Sequence, residues 1–388
     1  MNPCIIGWGH TKFGRLPDET VESLLVKAAT EAMADAGVTG EEIDAVFVGN
    51  FNSGMNPQEF VASLVLHADE ALRFKPCTRL ENACASGSAA LYQALNYLQA
   101  GLGKRVLVVG VEKMTSATPE QIAHGLLGAS YRPESVGLKA GFVSVFARIA
   151  DAYFERYGNH EESLARIAAK NHRNGAHNEL AHLRKELGFE FCNTVSDQNP
   201  LVDGRLKRSD CSPVSDGAAA VVLADESIAR QARRAVRFRA RVQTSDFMPL
   251  SRRDPVRFEA AERAWAQAYA QAGIGITDLS FAEVHDCFTI AELMIYEAMG
   301  LTEPGQGHIA IDEGWTEIDG RLPVNPSGGL KAKGHPVGAT GVSMHVMAAK
   351  QLVGEAGELQ LRDPQLAAVF NMGGVAVANY TSILERLV

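Results

Sequence analysis

The chain has 388 residues, of which 46% are hydrophobic and 21% are charged, and its formal net charge is −9. This is the composition of a folded globular protein with two or three domain-sized units, and an acidic balance without a basic stripe argues against nucleic acid as a partner. No run of about 18 apolar residues occurs, so we expect no membrane span.

The predicted elements alternate between helix and strand. VESLLVKAATEAMADAG is an amphipathic helix that ends at Gly37, and IDAVFVGNF is an apolar run of strand type. From Arg79, RLENACASGSAALYQALNYLQAG begins with small residues and continues as an amphipathic helix, which the buried strand KRVLVVGVEKM follows. This order predicts an α/β protein whose strands are covered on both faces.

The chain repeats itself weakly. The Ala-Gly turn, spacer and apolar strand of residues 36–48 return with the same spacing at residues 272–284. Cys84-Ala-Ser-Gly87-Ser-Ala likewise parallels His335-Pro-Val-Gly338-Ala-Thr, and each opens an apolar helix that precedes a strand. Two similar halves are therefore predicted, residues 1–114 with about 211–235 and residues 236–388.

Residues 115–210 differ from both halves. They are richer in His, Asn and Arg, include KNHRNGAHNELAHLRKE, and lack the helix–strand alternation. Because long insertions in compact domains are usually functional or disordered, we interpret this region as an insertion that covers a site.

Cys84 lies among small residues at the start of a predicted helix. Free backbone N–H groups at a helix start, together with the helix dipole, would favour its thiolate and make it a nucleophile. A buried structural cysteine is the alternative, and this stretch alone leaves both open.

Three further clusters carry polar groups. His335 ends the glycine-dense loop NPSGGLKAKGHPVGATG, where an imidazole can take a thiol proton or donate to an oxyanion. His285 and Cys287 stand in EVHDCF at the end of a repeated strand, where sites in α/β sheets gather. FNMGGV contains Gly373, whose backbone N–H can help to form an oxyanion hole.

These segments together resemble the thiolase family over nearly the whole chain. CASG, GHPVGATG and the C-terminal glycine turn stand in the expected order, and SDGAAA, GVEKM and KNHRNGAHN also look like thiolase segments. HDCF, in place of the usual NEAF-like segment, is similar to the sterol-carrier-protein type of thiolase. The resemblance implies a thiolase fold, with two βαβαβαββ halves in a layered α/β arrangement and an inserted loop domain that faces coenzyme A.

The resemblance also implies acetyl-CoA acetyltransferase-like chemistry on coenzyme A thioesters. Cys84 would attack the 3-keto carbon or a thioester, and His335 would accept its proton and later help to hold the thioester oxyanion. His285 would complete that oxyanion hole. The backbone N–H groups of Cys84 and Gly373 would form a second one.

One position departs from the common thiolase pattern. Most thiolases have a cysteine at the C-terminal glycine turn, where this chain has Asn371. An amide side chain does no proton transfer at neutral pH, and the resemblance to the sterol-carrier type implies that Cys287 of HDCF is the candidate for that role. A cysteine, with an ordinary pKa of about 8.5, can be tuned for acid–base work.

The remaining predictions concern ligands and partners. Arg173, Arg184, Ser212 and Gly334 are candidate contacts to coenzyme A, which is a substrate here, and we expect no separate cofactor and no metal site. Six dispersed cysteines without a CxxC spacing, and an N-terminus unlike a signal peptide, predict a cytoplasmic protein. The resemblance suggests a homodimer and leaves room for a small OB-fold partner.

Three alternative functions stay open. The first is a C-acyltransferase of secondary metabolism on the same fold. The second is a steroid side-chain retro-aldolase, which works with a small OB-fold partner and usually lacks this nucleophile and HDCF. The third is a catalytically silent acyl-CoA-binding or scaffold subunit, which Asn371 favours and the intact Cys84, His285 and His335 disfavour.

Overall fold

Local sequence signals set the element boundaries in this computed structural model, which describes residues 3–388. The strands are β1 (Cys4–His10), β2 (Ala45–Gly49), β3 (Cys77–Leu80), β4 (Arg105–Glu112), β5 (Leu201–Asp203), β6 (Leu206–Lys207), β7 (Gly217–Ala224), β8 (Val236–Ser245), β9 (Phe281–Val284), β10 (Leu366–Gly373) and β11 (Ala378–Arg386). The α-helices are α1 (Val21–Ala36), α2 (Ser86–Gln99), α3 (Pro119–Leu126), α4 (Phe142–Tyr157), α5 (Glu161–Ala176), α6 (Phe189–Asn193), α7 (Glu226–Ala229), α8 (Glu259–Ala272), α9 (Thr289–Ala298), α10 (Gly307–Asp312), α11 (Gly329–Lys333) and α12 (Thr340–Leu352).

Helix α1 shows how the sequence fixes an element. The Thr20 side chain accepts a hydrogen bond from the Ser23 N–H at its start, and Gly37 takes a left-handed conformation, with φ 66°, at its end. The predicted helix is therefore confirmed, as are the predicted strands β2 and β4.

Nine strands form one sheet in the order β3-β2-β4-β7-β1-β8-β11-β10-β9. Read outwards from the centre, β1, β7, β4 and β2 correspond to β8, β11, β10 and β9, with the same antiparallel and parallel pairings. The halves meet at β1 and β8 through only two residue pairs. The counterpart of β3 in the second half is a single bridge between Ala282 and Val324. The two similar halves predicted from the repeat are thus confirmed.

Strand β4 is buried on both faces, as the apolar run predicts. Val106 and Val108 point into the core that contains α2, and Leu107 and Val109 point into the core that contains α1. This alternation places helices on both sides of the sheet.

The central helices α2 and α12 begin at the two repeated motifs and pack against each other at glycines. A Cβ on Gly87 would lie 2.7 Å from the Gly338 carbonyl oxygen, and one on Gly341 would lie 2.4 Å from the Ser88 backbone nitrogen. Only glycine permits such an approach of two backbones. As a result, the segments of Cys84 and His335 lie side by side.

Residues 115–210 hold the helices α3, α4, α5 and α6 and the small sheet of β5 and β6. Helix α5 packs on α9 and α11, so the region contacts the second half of the chain near His285 and His335. The domain boundaries given above stay a prediction. Within residues 3–388, no helix combines the length and the apolar character that crossing a membrane requires.

We predict that Gly341→Ala lowers the free energy of unfolding by about 1–3 kcal/mol, because the new methyl group overpacks the contact between α2 and α12. Urea denaturation measures the change. The control is Gly188→Ala, where a Cβ meets nothing within 4 Å and φ is −69°. Equal stability of the two variants would contradict the proposed role of the glycine contact.

Candidate active site

A tight turn presents Cys84 immediately before helix α2. Ala83 has φ 50°, unusual for a residue with a side chain, and Ala85 is the N-cap residue of α2. The Ser86 hydroxyl closes the turn by donating to the Ala83 carbonyl oxygen at 2.7 Å and accepting from the Asn82 N–H at 2.9 Å. The turn therefore holds the Cys84 sulfur at the interface between the halves.

The Cys84 side chain is 5% exposed, and burial raises the pKa of its thiol to about 12. Hydrogen bonds from the backbone N–H groups of Gly374 and Cys84 lower the pKa, and the nearby carboxyl group of Glu112 raises it. The predicted preference for thiolate is thus not found in the structure, because desolvation outweighs the amide dipoles. Besides the N–H of Cys84 itself, the amide that reaches the sulfur belongs to Gly374, the neighbour of the predicted donor Gly373.

Thr340 orients His335. Its hydroxyl group donates to the Pro336 carbonyl oxygen at 2.9 Å, so the same oxygen accepts from His335 Nδ1 at 2.7 Å. The network therefore assigns the ring proton to Nδ1 and leaves Nε2 with a free lone pair. Burial, together with the charge of Lys333, lowers the pKa of His335 to about 3, so its ring is neutral at rest.

Asn371 orients His285 in the opposite sense. Its Nδ2 donates to the Cys84 carbonyl oxygen at 3.1 Å and to His285 Nδ1 at 2.9 Å, while its Oδ1 accepts from the Ser88 hydroxyl at 2.7 Å. A carbonyl oxygen can only accept, which fixes the amide orientation. His285 Nδ1 therefore accepts, and its buried Nε2 carries a proton with no partner in the described residues.

The sulfur of Cys84 and one ring nitrogen each of His285 and His335 lie within 4.8 Å of one another. The two imidazole rings meet edge to face, with 5.2 Å between their centroids. Burial lowers the pKa of His285 well below its ordinary value, and the neighbouring His335 lowers it further. The structure therefore joins a thiol, a proton acceptor and a neutral N–H donor in one dry cluster.

Cys287 lines the same cavity and is 3% exposed. Burial raises the pKa of its thiol well above the ordinary value, and the nearby Cys84 and Asp286 add to this shift. The backbone N–H of Ser212 donates to the Cys287 carbonyl oxygen at 3.0 Å. Cys287 is thus held beside Cys84 as a protonated thiol.

Hydrogen bonds of Asp286 hold the HDCF segment against helix α11. Asp286 accepts from the Leu330 N–H at 2.6 Å and the Lys331 N–H at 3.1 Å, and the Asn171 side chain donates to it at 2.8 Å. Burial raises the pKa of Asp286 to about 7, and repulsion from Glu292 contributes. These bonds fix His285 and Cys287 relative to the glycine-rich loop.

The catalytic cavity, as we call the space beside Cys84, Cys287 and His335, has a volume of about 500 Å³. Its remaining wall is mostly apolar and includes Ile122, Leu126, Phe142 and Phe288. This size and lining suit a ligand pocket with a few polar groups.

The predicted coenzyme A contacts separate in the fold. Ser212 lines the catalytic cavity, and Gly334 is buried directly before His335 with φ 114°. Arg173 instead pairs with Glu317, and Arg184 is exposed. Neither arginine is among the described residues that line the cavity.

Two contributors escaped the sequence analysis. Thr340 belongs to the quoted GHPVGATG motif, five residues after His335, and could have been found from that position. Ser88 gives no such signal, because its contact with Asn371 joins residues 283 positions apart.

Two family descriptions match the chain. "Thiolase, N-terminal domain" covers residues 4–199, and "Thiolase C-terminal domain-like" covers residues 242–386. Together they account for most of the chain.

Relatives with assigned names agree with these family descriptions. The acetyl-CoA acetyltransferase of Methanothermobacter thermautotrophicus is 37% identical over 387 residues, with 99% of each chain covered. That of Methanocaldococcus jannaschii is 39% identical and covers 87% of this chain and 86% of its own. Sterol carrier protein 2 of Homo sapiens is 31% identical over 95% of this chain and 69% of its own length.

Solved structures share the fold. Acat5 thiolase from Ascaris suum, in complex with coenzyme A, gives a TM-score of 0.73 at 19% identity and covers all of both chains. The structure titled "Ltp2-ChsH2(DUF35) aldolase" gives 0.84 at 23% identity, covering 99% of this chain and 97% of that one. The chain therefore belongs to the thiolase family, of the type that includes sterol carrier protein 2, and is a thiolase-type acyl-CoA acyltransferase.

Proposed function

We propose that this enzyme cleaves or forms 3-ketoacyl-CoA through an acyl group carried on Cys84. The observation that carries the proposal is the pair of opposite histidine tautomers beside the Cys84 sulfur. His335 Nε2 has a free lone pair for the thiol proton, and His285 Nε2 has a free N–H for a developing oxyanion.

In the first step, the Cys84 sulfur attacks the 3-keto carbon and its proton passes to His335 Nε2. Because both groups are neutral and buried, the charge separation is delayed until a substrate supplies the electrophile. The bond between C2 and C3 then breaks, which leaves the acyl group on sulfur and an acetyl-CoA carbanion. The N–H donors of His285 and the protonated His335 stabilise its thioester oxygen.

In the second step, Cys287 donates its thiol proton to the carbanion, and acetyl-CoA leaves. A thiol with a raised pKa is a suitable acid for a strongly basic carbon. The Cys287 thiolate then accepts the thiol proton of incoming coenzyme A.

In the third step, the coenzyme A sulfur attacks the acyl group on Cys84. The backbone N–H groups of Cys84 and Gly373 hold the tetrahedral oxyanion. The Cys84 sulfur leaves and regains its proton from His335, which restores the resting enzyme. The reverse sequence is the condensation of an acyl-CoA with acetyl-CoA.

Asn371 serves this chemistry without transferring a proton. Its amide N–H compels His285 to accept at Nδ1 and so to present N–H at Nε2. The residue that replaces the usual cysteine thus acts as a positioning residue for the oxyanion donor.

Coenzyme A enters as a substrate, and no separate cofactor is part of this proposal. Ser212 lines the catalytic cavity and Gly334 directly precedes His335, which supports them as contacts to its pantetheine arm. Arg173 and Arg184 remain proposed contacts to its phosphates at the surface of the inserted region.

We also propose a homodimer in the cytoplasm. Strand β3 is one of the two edges of the sheet, and the nearby side chains of Phe60 and Phe74 are 80% and 88% exposed in the single chain. Large exposed apolar side chains beside an unpaired strand edge are typical of a surface that another chain covers. Six free cysteines suit a reducing compartment. The neighbour whose title names ChsH2(DUF35) supports a further small partner, expected to have an OB fold.

Acetyl-CoA is expected to add one acetyl group to Cys84 in the wild type, as read by intact mass and peptide mapping, and none to Cys84→Ala.

Cys287→Ala should retain this adduct but cleave acetoacetyl-CoA with coenzyme A about 100-fold more slowly or worse, because the carbanion lacks its acid. Cys77→Ala is the control, since Cys77 lies half-buried in β3. Unchanged thiolysis by Cys287→Ala would refute its assigned role.

Asn371→Ala should lower kcat for thiolysis about 10- to 100-fold and change KM by less than about threefold. The reason is that the substitution removes the hydrogen bond that fixes the tautomer of His285 and removes no contact to the substrate. Steady-state kinetics measure both constants. Asn379→Ala in the same hairpin removes a buried amide that bonds the Ala376 carbonyl oxygen and contacts neither histidine. Equal losses of kcat in the two variants would reduce Asn371 to a structural residue.

Light scattering should give a mass twice the 41.7 kDa of one chain, because the exposed β3 edge and its phenylalanines would pair in a dimer. A single-chain mass at all protein concentrations would contradict the homodimer.

A further inference from the structure

A second chamber adjoins the catalytic cavity and has an unusual charge. It has a volume of about 490 Å³, and its lining includes Lys185, Arg208 and Lys331. No carboxylate lies among its described lining residues, although the chain as a whole carries a net charge of −9. We call this space the cationic chamber. Its charge points to an anionic ligand.

Lys331 is the buried member of this set. Its side chain is 3% exposed, whereas Lys185 and Arg208 are exposed. Among the described residues, the charged and titratable neighbours of the Lys331 ammonium group act on it through space, and none of them is hydrogen-bonded to it. A buried charge without a partner costs free energy, and a bound anion would offset that cost.

The nearest carboxylates are already engaged. Asp210 accepts from the Lys207 N–H at 2.7 Å and from the Thr289 hydroxyl at 2.9 Å, and its other contact is the Lys207 ammonium at 3.2 Å. Asp286 accepts the backbone N–H groups of Leu330 and Lys331 instead of the Lys331 side chain. Burial lowers the pKa of Lys331, and the field of Asp210 and Asp286 opposes this shift without neutralising the ammonium group locally.

The cationic chamber shares a wall with the catalytic cavity. His182, Cys211, Ser212 and Val214 line both spaces. Cys211 pairs with Phe288 of the HDCF segment, and the Ser212 N–H binds the Cys287 carbonyl oxygen. The chamber and the catalytic cavity are therefore neighbouring spaces with a common wall.

This position favours the acyl group over the nucleotide as the source of the anion. The whole pantetheine arm separates the phosphates of coenzyme A from the thioester, whereas Lys331 lies only four residues before His335. Four residues span at most about 14 Å even when fully extended. Lys331 is thus held near His335, whereas the phosphates of coenzyme A lie a whole pantetheine arm away from the thioester.

We propose that the cationic chamber binds a carboxylate at the far end of the acyl chain, with Lys331 as its partner. The preferred substrates are then coenzyme A thioesters of 3-keto dicarboxylic acids. The apolar side chains of Leu187, Phe191 and Val202 in the chamber wall would contact the methylene groups of the chain. This inference rests on the thiolase chemistry proposed above and names its substrate class.

The test compares thiolysis of 3-oxoadipyl-CoA with that of 3-oxohexanoyl-CoA, which has the same chain length without the terminal carboxylate. The wild type should favour the first by about tenfold or more in kcat/KM, and Lys331→Met should lose that preference. Lys104→Met, which removes an exposed lysine elsewhere, should keep it. Thermal unfolding of Lys331→Met should occur at no lower temperature, because an unpartnered buried charge is removed.

Three results would overturn the inference. One is a wild-type ratio of kcat/KM for the two thioesters near one. This result needs no variant, so it can be obtained even if Lys331→Met fails to fold. Another is that Lys331→Met weakens the binding of both thioesters and of free coenzyme A equally, which would assign Lys331 to a phosphate of coenzyme A. The third is cleavage of acetoacetyl-CoA but of neither longer substrate. Failure with all three substrates would overturn the proposed thiolase chemistry as well.

Discussion

The close contact of two helices at their glycines is the constraint on which the active site depends. Helices α2 and α12 come from different halves of the chain, and each begins at a copy of the same motif. Without side chains at Gly87 and Gly341, their backbones meet, and the residues just before them meet as well. Cys84 and His335 are therefore brought together by the symmetry of the fold rather than by proximity in the sequence.

That contact also determines the charges in the site. An interface between two packed halves excludes water, and dry surroundings disfavour both thiolate and imidazolium. The hydrogen bond that Thr340 accepts and the one that Asn371 donates then decide which nitrogen of each histidine carries the proton. The thiol and the two imidazoles are thus neutral groups preorganised for proton transfer, and charge develops only when the substrate is bound.

Much of the fold could be predicted from local patterns. The turn-and-strand repeat indicated the two halves, and the apolar runs indicated β2 and β4. The reduction of the β3 counterpart to one bridge at Val324 could not be predicted, since its pairing depends on distant backbone. Cys84, His285, Cys287 and His335 were identified as candidates. In the structure Cys84, Cys287 and His335 line one cavity, and His285 lies behind it, within 4.8 Å of Cys84 and His335.

What the sequence could not provide was their surroundings. The helix start suggested a thiolate at Cys84, but burial is a tertiary property and reverses that expectation. The charge of Arg173 suggested a phosphate contact, yet Glu317, 144 positions away, pairs with it. Asn371 looked like a missing acid–base group because its partner His285 lies on another strand end.

The most direct test of this account is the pH dependence of Cys84 alkylation by iodoacetamide in the substrate-free enzyme, followed by peptide mapping. With a pKa raised to about 12, only a small fraction is thiolate at pH 7, and the rate should rise about tenfold per pH unit from 7 to 9 without a plateau. A fast rate already constant from pH 6 to 8 would show a preformed thiolate–imidazolium pair and contradict the neutral resting site.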